Sequence, residues 1–201
     1  MKVDSGTKKV VTLFGSSLPR EDSTIYQQAL RLGKLLAQAG FTVCNGGYGG
    51  LMEATARGAR EADGHTLGVT CSLWSASANR WISEEIRTQS FPERIMTLIE
   101  RADAYITLPG GTGTLAELAL AWEIMNKSNL SRTVGGRKPL LVMAPYWQPV
   151  LECLNQEAAL SAPAEVPFDR QKRAMEIITL VENETDAVRK LCARFASLEN
   201  N

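Results

Sequence analysis

Leu108-Pro109-Gly110-Gly111-Thr112-Gly113-Thr114-Leu115-Ala116-Glu117 follows an apolar, strand-like run over 104–108 and opens a helical pattern carried by Leu115, Leu118, Trp122 and Met125. Strand, glycine turn and helix in that order build an anion site: glycines let the backbone approach a ligand, and the first N–H groups of the helix have no partner inside it. A phosphate is the expected guest of Gly110, Gly111, Thr112, Gly113 and Thr114, with the two threonine hydroxyls adding hydrogen bonds. Glu117 falls about one turn into the helix, near its positive end, which predicts an ionised carboxylate acting as a base or charge stabiliser. The spacing is neither G-x-x-x-x-G-K-[ST] nor G-x-G-x-x-G, so the nucleoside-triphosphatase and dinucleotide fingerprints both fail. Close packing of a helix on a strand also selects glycine, and that reading stays open beside the anion site.

Working outward, KVVTLF (9–14) reads as a buried strand ending in Gly15-Ser16-Ser17, at the carboxyl end where open α/β sheets bind ligands. Ser16 and Ser17 are candidates for a phosphate or ribose, or simply for turn and helix-entry chemistry. A helix from Ser23 to Gln38 closes on Gly40. The strand 41–44 runs into Asn45-Gly46-Gly47-Tyr48-Gly49-Gly50, a second close-approach turn placing Gly46 and Gly47 on the facing wall. Glu53, in the first turn of the next helix, is a ribose ligand or a solvated cap. After a third strand (65–70), residues 71–90 lack clean periodicity and carry Trp74, Arg80 and Trp81, which suggests a lid or base pocket; the alternative is a surface excursion with a short helix near 84–87. Ser90-Phe91-Pro92-Glu93 has capping-box spacing, and Arg94 falls in the first turn of that helix, off its apolar side.

Beyond the central helix, 132–138 reads as a basic glycine turn, 139–143 as a strand, 146–154 as a helix, 161–171 as a loop, 177–181 as a last strand and 184–198 as a helix. Strands alternating with helices indicate a Rossmann-like doubly wound parallel β-sheet of about six to seven strands with helices on both faces. With 201 residues and a 44% hydrophobic share, one domain over 1–201 with a flexible tail at 1–8 is expected. Zero formal net charge opposes nonspecific binding to nucleic acid or anionic membranes. No apolar run reaches the ~20 residues of a membrane span, and the N-terminus lacks a signal-peptide core, so a cytoplasmic protein is expected. Four scattered cysteines without a C-x-x-C pair, and His65 as the one histidine, form no zinc framework; Cys44, Cys153 and Cys192 read as buried small hydrophobes. No pyridoxal-phosphate lysine site stands out, and no cofactor is expected.

FGSS (14–17), GGYGGLMEATARGAR (46–60), ERIMTLIERADAYITLPGGTGTLAE (93–117), Lys138-Pro139 and ITLVENETDAVRKL (178–191) together resemble the LONELY GUY (LOG) family of cytokinin-nucleotide phosphoribohydrolases, over roughly residues 9–194. The resemblance implies hydrolysis of the N-glycosidic bond of a purine or cytokinin nucleoside 5′-monophosphate, such as AMP or isopentenyl-AMP. It sets Arg94 and Glu117 on the family's active-site arginine and glutamate, and it implies a homodimer with the site near the subunit interface. The chain departs from the pattern at Ile95, where a lysine is usual, at Ala116, and at Glu123-Ile124. Two rivals stand beside the enzyme: a nucleotide or cofactor carrier that kept the cradle without turnover, to which Ile95 points, and a nucleic-acid partner, which the neutral charge opposes.

Overall fold

The computed structural model describes residues 8–128, 138–144, 146–156 and 175–199. The readings at 132–137 and 161–171 lie outside them. Short runs rich in β-branched and apolar residues form seven strands: β1 Val10–Phe14, β2 Thr42–Asn45, β3 Thr66–Cys71, β4 Glu84–Thr88, β5 Ala104–Thr107, β6 Leu140–Met143 and β7 Ile178–Val181. Between and after them lie α1 Thr24–Gln38, α2 Leu51–Glu61, α3 Phe91–Arg101, α4 Thr112–Ser128, α5 Gln148–Asn155 and α6 Glu184–Glu199. All pairings are parallel, in the order β4-β3-β2-β1-β5-β6-β7. The chain therefore builds the sheet outward from β1 in one direction, then restarts at β5 and builds in the other. Val11 sits at the seam, opposite Val43 on one side and Ala104 on the other.

The two faces carry separate cores, because strands buried on both sides need a helical layer on each. Val11, Leu13, Val43 and Ile106 meet α1, α2 and α6 through Leu32, Leu36, Ala54 and Leu191. Phe14, Cys44, Tyr105 and Val142 meet α3, α4 and α5 through Leu98, Leu118, Trp122 and Leu151. Local signals start the helices as the sequence implies. The Ser23 hydroxyl accepts from Tyr26 N, and the Ser90 hydroxyl accepts from Glu93 N. The reciprocal half of the second cap differs by one residue, since the Glu93 carboxylate accepts from Gln89 N.

Two sequence expectations are corrected. Residues 84–88 are not a short helix but β4, an edge strand paired with β3 from Leu67 opposite Glu84 to Cys71 opposite Thr88. Only Thr88 is buried there, so the strand carries almost no apolar signal. Cys153 and Cys192 are exposed rather than buried, because α5 turns Leu151 inward and α6 turns Ala187 and Leu191 inward. Cys44 and Cys71 are buried, and burial pushes the Cys44 thiol up to about 12. Among the described residues, no helix is long and apolar enough to cross a membrane.

Candidate active site at the switch point

Where strand order reverses between β1 and β5, the loops leaving those strands part toward opposite faces and open a crevice at the carboxyl edge of the sheet. The loops are tied at its base: Ser16 N donates to Pro109 O at 3.1 Å and Leu51 N donates to Ser16 O at 2.8 Å. Above them lies a cavity of about 560 Å³, the size of a ligand pocket. Ser16 and Ser17 form one wall and Gly111, Thr112, Gly113 and Thr114 the other. The α4 backbone closes its first internal bond from Leu115 N to Gly111 O, so the amides before Leu115 are those a helix start leaves for an outside partner.

Arg94 and Glu117 form the deep end. Arg94 is 5% exposed and Glu117 is 9% exposed. The guanidinium donates from Nε to Val69 O at 2.8 Å, from Nη2 to Gly46 O at 3.2 Å and from Nη1 to Glu117 Oε1 at 3.3 Å. Arg94 is thus a buried member of α3, not a group on its solvated side. Glu117 also differs from the expectation of a plainly ionised carboxylate. Burial raises it to about 7, outweighing the downward pull of the Arg94 cation and hydrogen bond. The helix terminus alone would pull the other way; desolvation decides the sign.

The other sequence-derived residues divide. Gly110 does not line the cavity: its carbonyl accepts from Tyr146 Oη at 2.8 Å, and an added Cβ would lie 2.1 Å from Thr114 Oγ1. Beside it, Trp147 Nε1 donates to Leu108 O at 2.9 Å, so two residues ahead of α5 hold the turn. Gly46 and Gly47 also lie behind the wall. Gly46 seats the Arg94 guanidinium, and Gly47 O accepts from Asn79 N and Nδ2, which fastens the 72–83 loop. Glu53 is half-buried on the α2 side nearer Tyr26, whose phenol its charge helps raise, and Met52 lines the cavity in its stead. Ile95, standing at the lysine position of the resemblance, is buried in the core with Leu98 and Ile99.

Three aromatic residues complete the cavity without having been assigned to it individually: Tyr48, Trp74 and Phe91. Trp74 falls in the stretch whose missing periodicity marked a lid. Tyr48 stood inside the glycine turn, where the glycines drew the reading.

A Rossmann-like parallel sheet with a glycine turn at a helix start and a buried carboxyl–guanidinium pair at its switch point defines an open α/β protein of the class that binds ligands at that edge of the sheet. Within that class the chain belongs to the SLOG cluster4 family, whose model matches residues 8–132. It is 34% identical over 124 residues to the cytokinin riboside 5′-monophosphate phosphoribohydrolase of Mycobacterium tuberculosis, covering 60% of this chain and 66% of that protein, just under two thirds of its length. It is 29% identical over 182 residues to the probable cytokinin riboside 5′-monophosphate phosphoribohydrolase LOG4 of Oryza sativa subsp. japonica, covering 87% of this chain and 76% of that one. Among solved structures, the molybdenum cofactor binding protein of Rippkaea orientalis superimposes with a TM-score of 0.67 at 21% identity, over 94% of this chain and 98% of that one, a likeness of fold.

Proposed function

We propose that the cavity binds a purine nucleoside 5′-monophosphate, with AMP or its prenylated form as candidate substrates, and hydrolyses the N-glycosidic bond to free base and ribose 5-phosphate. The observation that carries this reading is the buried Arg94–Glu117 pair standing in one cavity with the first amides of α4. The relatives named as phosphoribohydrolases support it. In this reading the phosphate lies against Gly111, Thr112, Gly113 and Thr114, within reach of Ser16 and Ser17, and the base lies toward Trp74 and Tyr48. As the C1′–N bond breaks, its electron pair leaves with the base and positive charge develops on the ribosyl carbon; the proton that the attacking water gives up on bonding to C1′ balances the one the leaving base takes from solvent. The Glu117 carboxylate stabilises that charge and orients the water whose oxygen bonds to C1′. Arg94 holds the carboxylate in place. A midpoint near 7 leaves much of Glu117 ionised in a cytoplasm at neutral pH.

We further propose a homodimer through α4. Leu115 and Leu120 are each 37% exposed, and with Ala116 and Ala119 they form an apolar strip on the helix that also carries Glu117.

The test is to incubate the protein with AMP, isopentenyl-AMP and other nucleoside monophosphates and quantify free base by chromatography, with Glu117→Gln in parallel. Base release that disappears in the variant is the expected result. A second reading, a non-catalytic nucleotide or cofactor carrier, draws on the departure at Ile95 from the lysine of the resemblance, a side chain that here packs in the core and does not line the cavity. It wins if no nucleotide is hydrolysed while one raises the melting temperature.

A further inference from the structure

An arginine on the first turn of a helix is ordinarily solvated, and taking its charge out of water is unfavourable unless the whole guanidinium is enclosed by partners. Three of its five N–H groups meet Val69 O, Gly46 O and Glu117 Oε1. The rest of the enclosure is aromatic. The Arg94 guanidinium carbon lies 5.6 Å from the Tyr48 ring centre and 5.5 Å from that of Trp74, and the two rings are 5.6 Å apart at 77°. Rings on opposite faces of a guanidinium would stand about twice as far apart as either stands from the cation. These three groups instead form a near-equilateral triangle, so both rings wall the same side.

The wall is hung from two places. Tyr48 Oη accepts from Cys71 N at 2.8 Å, and Trp74 N donates to Cys71 O at 3.3 Å, so both rings are tied to the end of β3. On its far side Trp74 meets Phe91 at 6.0 Å, and Phe91 begins the helix that carries Arg94. Trp74 itself is 39% exposed, while Arg94 beneath it is 5% exposed. The indole therefore covers one side of the guanidinium, while both members of the ion pair still line the cavity.

We infer that Trp74 and Tyr48 are positioning residues: they form an aromatic wall on one side of Arg94 that limits the water around the Arg94–Glu117 pair to the cavity side, where the reacting water enters, and holds the guanidinium against the carboxylate. This rests on Glu117 being the working carboxyl of the proposed reaction, and it gives the 72–83 loop a role that does not depend on which base is bound. Arg94 is the charged group acting on Glu117, and Tyr48 is the titratable group on the facing wall, its hydroxyl tied to Cys71.

The experiment compares wild type with Trp74→Ala, Trp74→Phe and Tyr48→Phe. The Glu117 carboxyl is titrated by carbon-13 NMR and identified by the resonance missing in Glu117→Gln. In Trp74→Ala the midpoint is expected to fall by about one unit or more as water enters, and Trp74→Phe is expected to restore it. Tyr48→Phe, which keeps the ring but loses the tie to Cys71, is expected to fall between the two. For base release, kcat of Trp74→Ala is expected to drop about tenfold at saturating nucleotide, as for a displaced working group, apart from any rise in KM from the lost contact with the base. An unmoved or raised midpoint in Trp74→Ala overturns the inference, as does failure of Phe to restore it. Because the titration needs no turnover, it separates the two ideas: a fallen midpoint in a protein that releases no base keeps the wall and removes the hydrolase.

Discussion

The two glycine turns look alike in sequence and follow neighbouring parts of one parallel sheet, yet their glycines answer to different neighbours. At Gly46 an added Cβ would lie 1.8 Å from Arg94 Nη2. At Gly50, with φ at 65°, it would lie 2.4 Å from Ser17 C and 2.5 Å from Ser16 O. At Gly111 and Gly113 an added Cβ would meet nothing within 4 Å. At Gly46, Gly47 and Gly50 the protein itself fills the space a Cβ would take. The space beside Gly111 and Gly113 is open, as a ligand against the start of α4 would need. A count of glycines cannot separate these cases; the neighbours can.

That contrast is open to breakage. Gly46→Ala should have the largest effect, since it expels the guanidinium and leaves Glu117 buried alone: about 3 kcal/mol of stability by denaturant unfolding and about a hundredfold in base release. Gly50→Ala should destabilise by about 2 kcal/mol, through its positive φ and the clash with the Ser16–Ser17 backbone.

Glu117 sharpens the comparison through pH. Its folded value is raised from 4.5 to about 7, so its contribution to stability is fully present below about 4.5 and is lost as pH rises through about 7. Relative to Glu117→Gln, the wild type should lose about 3 kcal/mol across that window, read from chemical denaturation at pH 4.5 and 8. Over the same window kcat/KM for base release should climb with pH and level off above about 7, because the carboxylate is the working form. A bell or a falling profile would recast Glu117 as the acid. The smallest effect belongs to Gly111→Ala: unfolding within about 0.5 kcal/mol of wild type, with a KM for nucleotide raised about tenfold if a single methyl crowds the phosphate. A Gly111→Ala that destabilised as much as Gly46→Ala would erase the distinction between the turns.

Much of this architecture was legible because strand runs such as VVTLF and LLVM alternate with amphipathic helices at ordinary spacing. β4 was not, for two physical reasons. Its sequence, EEIRT, belongs to a solvent-facing edge, and its parallel link from β3 uses an irregular loop where such crossovers usually carry a helix. Of the residues that line the cavity, Gly111 to Thr114 stood out by their place between strand and helix, and Arg94 and Glu117 also through the family resemblance. The ionisation of Glu117 did not, because desolvation is a property of the assembled fold and the helix dipole is a property of one element. The same holds for Gly46, whose neighbour Arg94 is 48 positions away.

The bonds from Tyr146 to Gly110 and from Trp147 to Leu108 bear on how far the molecule is modular. The family match ends at residue 132, whereas both donors lie beyond it. The portion matched by the family model is therefore not a portable cassette: excised or grafted at that boundary, it would leave the carbonyls of Leu108 and Gly110 without these donors. Chimeras designed by sequence matching should carry the downstream segment along, with the crossover point chosen by which part braces the turn.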